Sequence, residues 1–139
     1  MDEWDQQTAH HSPLLIAAVG SRVVAFERRR GTRVWEWISD GTPFSRMLIS
    51  GDCVVVGGES RLVCLAHDSG KVLWDTQSPV ATDFTLLLDG NEIVVASSGE
   101  IAVFALATGK LLWHDPLKGY GHHSIAVGSR NGVAQIDRS

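Results

Sequence analysis

The sequence predicts an all-β chain built from repeated four-stranded antiparallel sheets. Three observations carry that reading. Glycines and tryptophans recur at one fixed interval, short apolar runs alternate with turn residues, and no stretch of ten or more positions shows a helical apolar period.

The interval is the strongest of the three. Gly31, Gly70 and Gly109 stand 39 residues apart, and Trp35, Trp74 and Trp113 keep the same spacing. Residues 21–37 (SRVVAFERRRGTRVWEW), 60–76 (SRLVCLAHDSGKVLWDT) and 99–115 (GEIAVFALATGKLLWHD) stack without a gap. Upstream, IAAVG (16–20), VVGGE (55–59) and VVASS (94–98) repeat the register. Periods of this size mark repeat architectures. Each copy is rich in Val, Ile, Leu and Phe and broken by Gly, Ser, Asp and Asn, the composition of short strands and turns. The Gly four residues before each Trp suits a tight turn, where a positive φ costs Gly little. The second copy reads as strands at about 44–50, 53–58, 61–67 and 71–76, and the third at about 83–89, 92–98, 100–106 and 111–115. Four antiparallel strands in about 40 residues are the size of a β-propeller blade.

Length and composition agree with one domain. The chain has 139 residues, 44% of them apolar and 20% charged, which is ordinary for a packed domain. A formal net charge of −4 gives no basic footprint, so nucleic acid is not an expected partner. The start, Met1-Asp2-Glu3-Trp4-Asp5, has neither the basic residues nor the apolar run of a secretory signal, and no apolar stretch has the length of a membrane span. The expectation is a cytoplasmic protein with no membrane partner. Cys53 and Cys64 fall on neighbouring strands of one hairpin; a disulfide is conceivable, and two reduced thiols are expected.

The pattern resembles the tryptophan-docking repeat of pyrroloquinoline-quinone-type (PQQ-like) β-propellers, with the consensus A-x-D-x-x-T-G-x-x-x-W. Thr108-Gly109 and Trp113 match it, with Val103 and Ala105 where the family has Ala and Asp. Ser69-Gly70 and Trp74 match in the second copy, with Cys64 and Ala66, and the first copy keeps Ala25, Glu27, Gly31 and Trp35. The resemblance covers nearly the whole chain and implies a fold, with the Trp of each blade wedged against the next; it does not imply a function. Trp4, Trp35, Trp74, Trp113, Gly31, Gly70 and Gly109 are therefore expected to be structural docking residues. Quinone enzymes of the family use a large eight-blade chain, and their alcohol dehydrogenases carry vicinal cysteines that this sequence lacks. No catalytic residues and no cofactor are carried over.

The two ends read as one divided blade. SIAVGSRNGVAQIDRS (124–139) resembles second and third strands, with Asn131-Gly132 as a hairpin-turn pair. Trp4-Asp5-Gln6-Gln7-Thr8 resembles Trp74-Asp75-Thr76-Gln77-Ser78, an outer strand. The single domain then divides into a closing outer strand (1–8), blade 1 (9–38), blade 2 (39–77), blade 3 (78–116) and an incomplete blade 4 (117–139). Ring closure has two forms: a four-blade monomer sealed by its own N-terminal strand, or a two-fold homodimer of eight blades in which each N-terminal strand completes its partner's last blade. The dimer is the favoured expectation. A competing count takes Asp5–His11 as an inner strand and the tail as the first two strands of a half blade, which gives 3.5 blades per chain.

Four histidines, His10, His11, His122 and His123, lie in matching His-His-Ser tripeptides and are candidate metal ligands at the axis. Adjacent strand residues face opposite ways, so at most one of each pair reaches the axis, and polar loop residues are the plainer reading. Arg28, Arg29 and Arg30 form the only basic run, a turn whose plainer reading is a solvated one and which could instead dock an acidic partner or a phosphate. Trp37, opposite in copy to Thr76 and Asp115, and Tyr120, between Gly119 and Gly121, are candidate exposed aromatics for partner binding. Phosphate-cradling Gly-Lys-Ser/Thr loops and Gly-x-Ser-x-Gly elbows do not occur. The expected function is a non-catalytic interaction or scaffold module that binds a protein through its loops or axial mouth. The alternative is a small-ligand or metal binder at the axis, and a quinoprotein-like enzyme stands behind both.

Overall fold

The computed structural model describes residues 14–80, 85–97, 99–130 and 132–134. Among them every regular element is a strand, and the strands form antiparallel meanders in chain order. The first sheet holds β1 (Leu14–Val19), β2 (Arg22–Glu27) and β3 (Arg33–Ile38). The second holds β4 (Arg46–Ser50), β5 (Cys53–Gly58), β6 (Arg61–Ala66) and β7 (Val72–Gln77). The third holds β8 (Thr85–Asp89), β9 (Glu92–Ser97), β10 (Glu100–Ala105) and β11 (Leu111–Asp115). A last hairpin pairs β12 (Val127–Ser129) with β13 (Gly132–Ala134) and lies against β8. The 39-residue interval thus relates β1 to β5 and β9, β2 to β6 and β10, and β3 to β7 and β11.

The expected strands fall within a residue or two of those observed. The C-terminal turn does not: Ser129 pairs with Gly132, so Gly132 belongs to β13 rather than to an Asn131-Gly132 turn. A Cβ at Gly132 would lie 3.4 Å from Leu87, so the residue sits close over the third sheet. Both cysteines are free thiols, as the sequence suggests.

Each sheet carries apolar side chains on both faces, because sheets in this architecture pack face to face rather than against solvent. Ile16, Val23 and Ala25 of the first sheet meet Val54, Val56, Val63 and Leu65 of the second, with Phe44 from the linker. Val55, Leu62 and Cys64 on the second sheet's other face meet Ile93, Val95, Ala102 and Phe104 of the third. We call the face turned toward the preceding sheet the rear face and the other the front. The linkers press in where only glycine fits. A Cβ at Gly58 would lie 2.2 Å from the Pro43 carbonyl oxygen, and one at Gly99 2.2 Å from that of Gly121.

One irregularity recurs at the same place in all three sheets. The ladder to the outermost strand slips between Ala25 and Phe26, between Cys64 and Leu65, and between Val103 and Phe104. Val34, Leu73 and Leu112 are the extra, unpaired residues, and all three are exposed. Each bulge sets the Trp that follows it opposite Ala25, Cys64 or Val103 on the front face.

Candidate functional site

The most elaborate device in the molecule is the seat between consecutive sheets. The Trp35 indole N–H donates to the His67 carbonyl at 2.9 Å, and that of Trp74 to the Leu106 carbonyl at 2.8 Å. Each ring lies flat over the turn glycine of the sheet ahead. A Cβ at Gly70 would come 2.4 Å from the Trp35 ring, and one at Gly109 2.4 Å from the Trp74 ring. Gly is needed here twice over, since φ is +74° at Gly70 and +73° at Gly109. The turns are braced from within: Gly70 N–H donates to the Ala66 carbonyl and Gly109 N–H to the Ala105 carbonyl, both at 2.8 Å. An indole that buries its ring while its N–H finds a carbonyl gains packing without a desolvation cost. Trp113, the third of the series, is 49% exposed, and no hydrogen bond from its indole is found among the described residues.

A second recurrent device escaped the sequence reading. Arg22 pairs with Glu36 at 3.2 Å, Arg61 grips Asp75 with Nε to Oδ1 at 2.9 Å, and Glu100 faces His114 at 3.3 Å. These positions again differ by 39, but the third copy reverses which strand carries the acid. The middle clasp is the most developed. Arg61 also donates to Asp40 at 2.7 Å and to the Thr42 hydroxyl at 3.2 Å, and its guanidinium lies 5.9 Å from the Phe44 ring centre. Hydrogen bonds from Thr42, side chain first, and then the Arg61 charge hold the exposed Asp40 carboxyl below its usual range. This rim forms an open hollow of about 490 Å³ lined by Asp40, Thr42, Arg61, Asp75 and Ser78.

The residues singled out from sequence do not gather in one place. Arg28, Arg29 and Arg30 form an exposed turn, and the Glu27 carboxylate accepts the backbone N–H of Arg29 at 3.0 Å and of Arg30 at 3.1 Å. Trp37 is half-buried rather than exposed: its ring lies 5.6 Å from that of Phe44, inside the core between the first two sheets. Tyr120 is 72% exposed on the loop that follows β11. That loop is bent by a positive φ at Leu117 (46°), Gly119 (91°) and Gly121 (81°). His122 lines an open hollow of about 710 Å³ beside it, together with Glu100, Leu117 and Lys118. The His123 ring stands over Gly121. Trp4, His10 and His11 lie outside the described residues, so convergence of the histidine pairs is not visible. Among the described residues no group of three or more His, Cys, Asp and Glu could hold a metal ion. Cys64 is buried, and burial first, then the neighbouring Cys53 thiol, pushes its pKa up to about 12. No helix of the described residues is long and apolar enough to cross a membrane.

Comparison with known proteins places this geometry. Residues 11–137 match the family described as outer membrane protein assembly factor BamB. No curated protein matches the sequence. Among solved structures, BamB from Moraxella catarrhalis is similar at 21% identity and a TM-score of 0.61, over 83% of this chain and 36% of that one. The Pan2 WD40 domain of Neurospora crassa is similar at 17% identity and a TM-score of 0.66, over 78% and 36%. The quinohemoprotein alcohol dehydrogenase of Comamonas testosteroni is similar at 16% identity and a TM-score of 0.61, over 75% and 19%. The chain therefore spans about a third or less of the length of these structures, and identities this low speak for the fold alone.

Proposed function

Because this chain belongs to the BamB family of PQQ-like β-propellers, we propose that it is a non-catalytic interaction module that binds another protein and closes its ring with a second copy of itself. One observation supports this above the others. On the rear face of the first sheet Leu15 is 58% and Val19 66% exposed, whereas the residues at the matching places of the second and third sheets, Val54, Gly58, Ile93 and Ser97, are buried. An apolar sheet face left to solvent is a protein-binding surface. The repeated polar devices, by contrast, are spent inside the fold, on carbonyls and on each other. The exposed loop carrying Tyr120 supplies a second, rim-located contact for a different protein. Two free thiols suit the reducing cytoplasm, where we place the protein.

The test is the mass in solution. Light scattering should give twice the 15.1 kDa of the chain, and Leu15→Lys should halve it. A single-chain mass overturns closure by a second copy. Pull-down with and without Tyr120→Ala then examines the rim, and a partner retained in full overturns that assignment. A second reading, a small-ligand or metal binder, draws on His122 beside Glu100 in the loop hollow. Metal analysis of the purified protein and of His122→Ala/His123→Ala would sustain it only if bound metal fell with the substitutions.

A further inference from the structure

One rim of the molecule pairs cations with bare apolar side chains in every sheet that carries a bulge. The last turn and the bulge of each sheet form a corner, at residues 27–34, 66–73 and 105–112. The bulge residues Val34, Leu73 and Leu112, with Val72 and Leu111 just before the last two, are between 40% and 49% exposed. None of the five belongs to either core cluster. The exposed Arg33, Lys71 and Lys110 stand beside them. The corners are contiguous, because the Trp after each bulge reaches the next corner. Trp35, next to Val34, covers Gly70, and Trp74, next to Leu73, covers Gly109. The result is one strip across three sheets, not apolar residues scattered singly, and such a strip marks an interaction surface.

Charge sets the chemistry of what the strip receives. With Arg28, Arg29 and Arg30, the three corners hold six cations and two carboxylates, a net of +4 in a chain of net charge −4, so the remainder carries −8. The Glu27 carboxylate is turned onto backbone N–H groups of its own turn, and Asp68 lies 3.0 Å from the His67 ring. Arg33 lies 3.7 Å from Glu36, at the edge of the strip. We propose that this strip docks an acidic, apolar segment of another protein, with its carboxylates on the Arg28, Lys71 and Lys110 cations and its apolar side chains on Leu73 and Leu112. A short segment feels the local cations alone, since charges more than about 8 Å away are screened at physiological salt. A nucleic acid or an anionic bilayer extends past them, onto a surface that is otherwise strongly acidic. Either would also lie across the Asp68 side chain, 82% exposed at the middle corner. This deepens the proposed protein-binding role and rests on it, naming the partner's chemistry and where it docks.

The test is selection from a random peptide library displayed on phage, with the full chain as bait, followed by affinity measurement on the resynthesised peptides. Enriched peptides should combine Asp or Glu with Leu, Ile or Phe. Lys110→Glu should weaken them about tenfold by setting like charges together. Leu112→Ser should do so about tenfold by removing an apolar anchor. Arg130→Glu, which changes the net charge equally at the turn of the last hairpin, should leave the affinity unchanged. An unshifted thermal midpoint reports that each variant is folded, and Lys71→Glu replaces Lys110→Glu if that midpoint falls. Peptides of another composition, or acidic ones indifferent to Lys110→Glu or to Leu112→Ser, overturn this surface and leave the protein-binding role standing. A library that yields no binder overturns both. Sedimentation with phosphatidylcholine vesicles, with and without phosphatidylserine, examines the lipid alternative: pelleting that needs phosphatidylserine and Lys110 overturns a protein occupant. A solution mass that halves in Lys110→Glu gives the strip to a second copy of the chain and likewise overturns the proposal.

Discussion

The rear faces of the first and second sheets are built from the same pattern and meet different fates. Val54, Val56, Val63 and Leu65 are sealed by the first sheet and the Trp35 ring; Leu15, Ala17, Val24 and Phe26 have no sheet among the described residues before them. Turn geometry does not distinguish the two, since Gly31 and Gly70 have nearly the same φ and the same bracing bonds. The difference teaches that the seat is a local product of its own hairpin. The Gly31 turn has this shape although among the described residues nothing lies within 4 Å of its Cβ position, so the proposed association would proceed between preformed surfaces, with little ordering to offset.

The comparison can be broken most sharply with the tryptophans. Trp74→Ala should cost about 3 kcal/mol in urea denaturation, the scale for removing a packed aromatic ring. Trp113→Ala, at a half-exposed position, should cost less than about 1 kcal/mol. Equal losses would show that Trp113 is seated as firmly as Trp74. Next come the glycines. Gly70→Ala forces a methyl into the Trp35 ring on top of an unfavourable φ and should cost about 2 kcal/mol or more. Gly31→Ala, where among the described residues nothing lies within 4 Å of the Cβ position, should cost about 1 kcal/mol, the backbone strain alone, and a cost equal to that of Gly70→Ala would break the comparison.

The rim clasps should differ by less. Arg61 has a side chain 18% exposed and two carboxylates, whereas Arg22 is 57% exposed with one close partner. Arg61→Met should cost about 1–2 kcal/mol and Arg22→Met under about 0.5 kcal/mol, as measured by denaturation at low salt. The smallest effect is a drift with pH. Burial raises the Cys64 pKa from the ordinary 9.0 to about 12 in the fold. Above pH 9 the unfolded chain therefore binds fewer protons than the folded one, and stability should fall as pH rises toward 12. Cys64→Ala should flatten that slope; an unchanged slope would assign the drift elsewhere.

Much of the fold was legible because the repeat writes it three times. A Gly four residues before a Trp told of both a left-handed turn and a seat, and the strands followed from the apolar runs between. The clasps were hidden because their chemistry changes while their place does not: Arg–Glu, Arg–Asp and Glu–His share no residue type across all three copies. The 39-residue interval applied to charged positions, rather than to glycines and aromatics, would have found them. Trp37 misled for a different reason. Thr76 and Asp115 at the matching places suggest an outward position, but the ring it packs on, Phe44, comes from a linker that the strand pattern does not describe. Asn131-Gly132 has the composition of a turn, yet packing over Leu87 draws Gly132 into the strand.

The bulges at Val34, Leu73 and Leu112 bear on how copies of this protein avoid uncontrolled growth. A regular outermost strand offers a continuous row of donors and acceptors that a foreign strand can extend without limit. Here that row is interrupted at the same point in the first three sheets, so their outer strands are a poor template for polymerisation. The proposed self-association would then fall to a face with one matching surface, which saturates once it is covered.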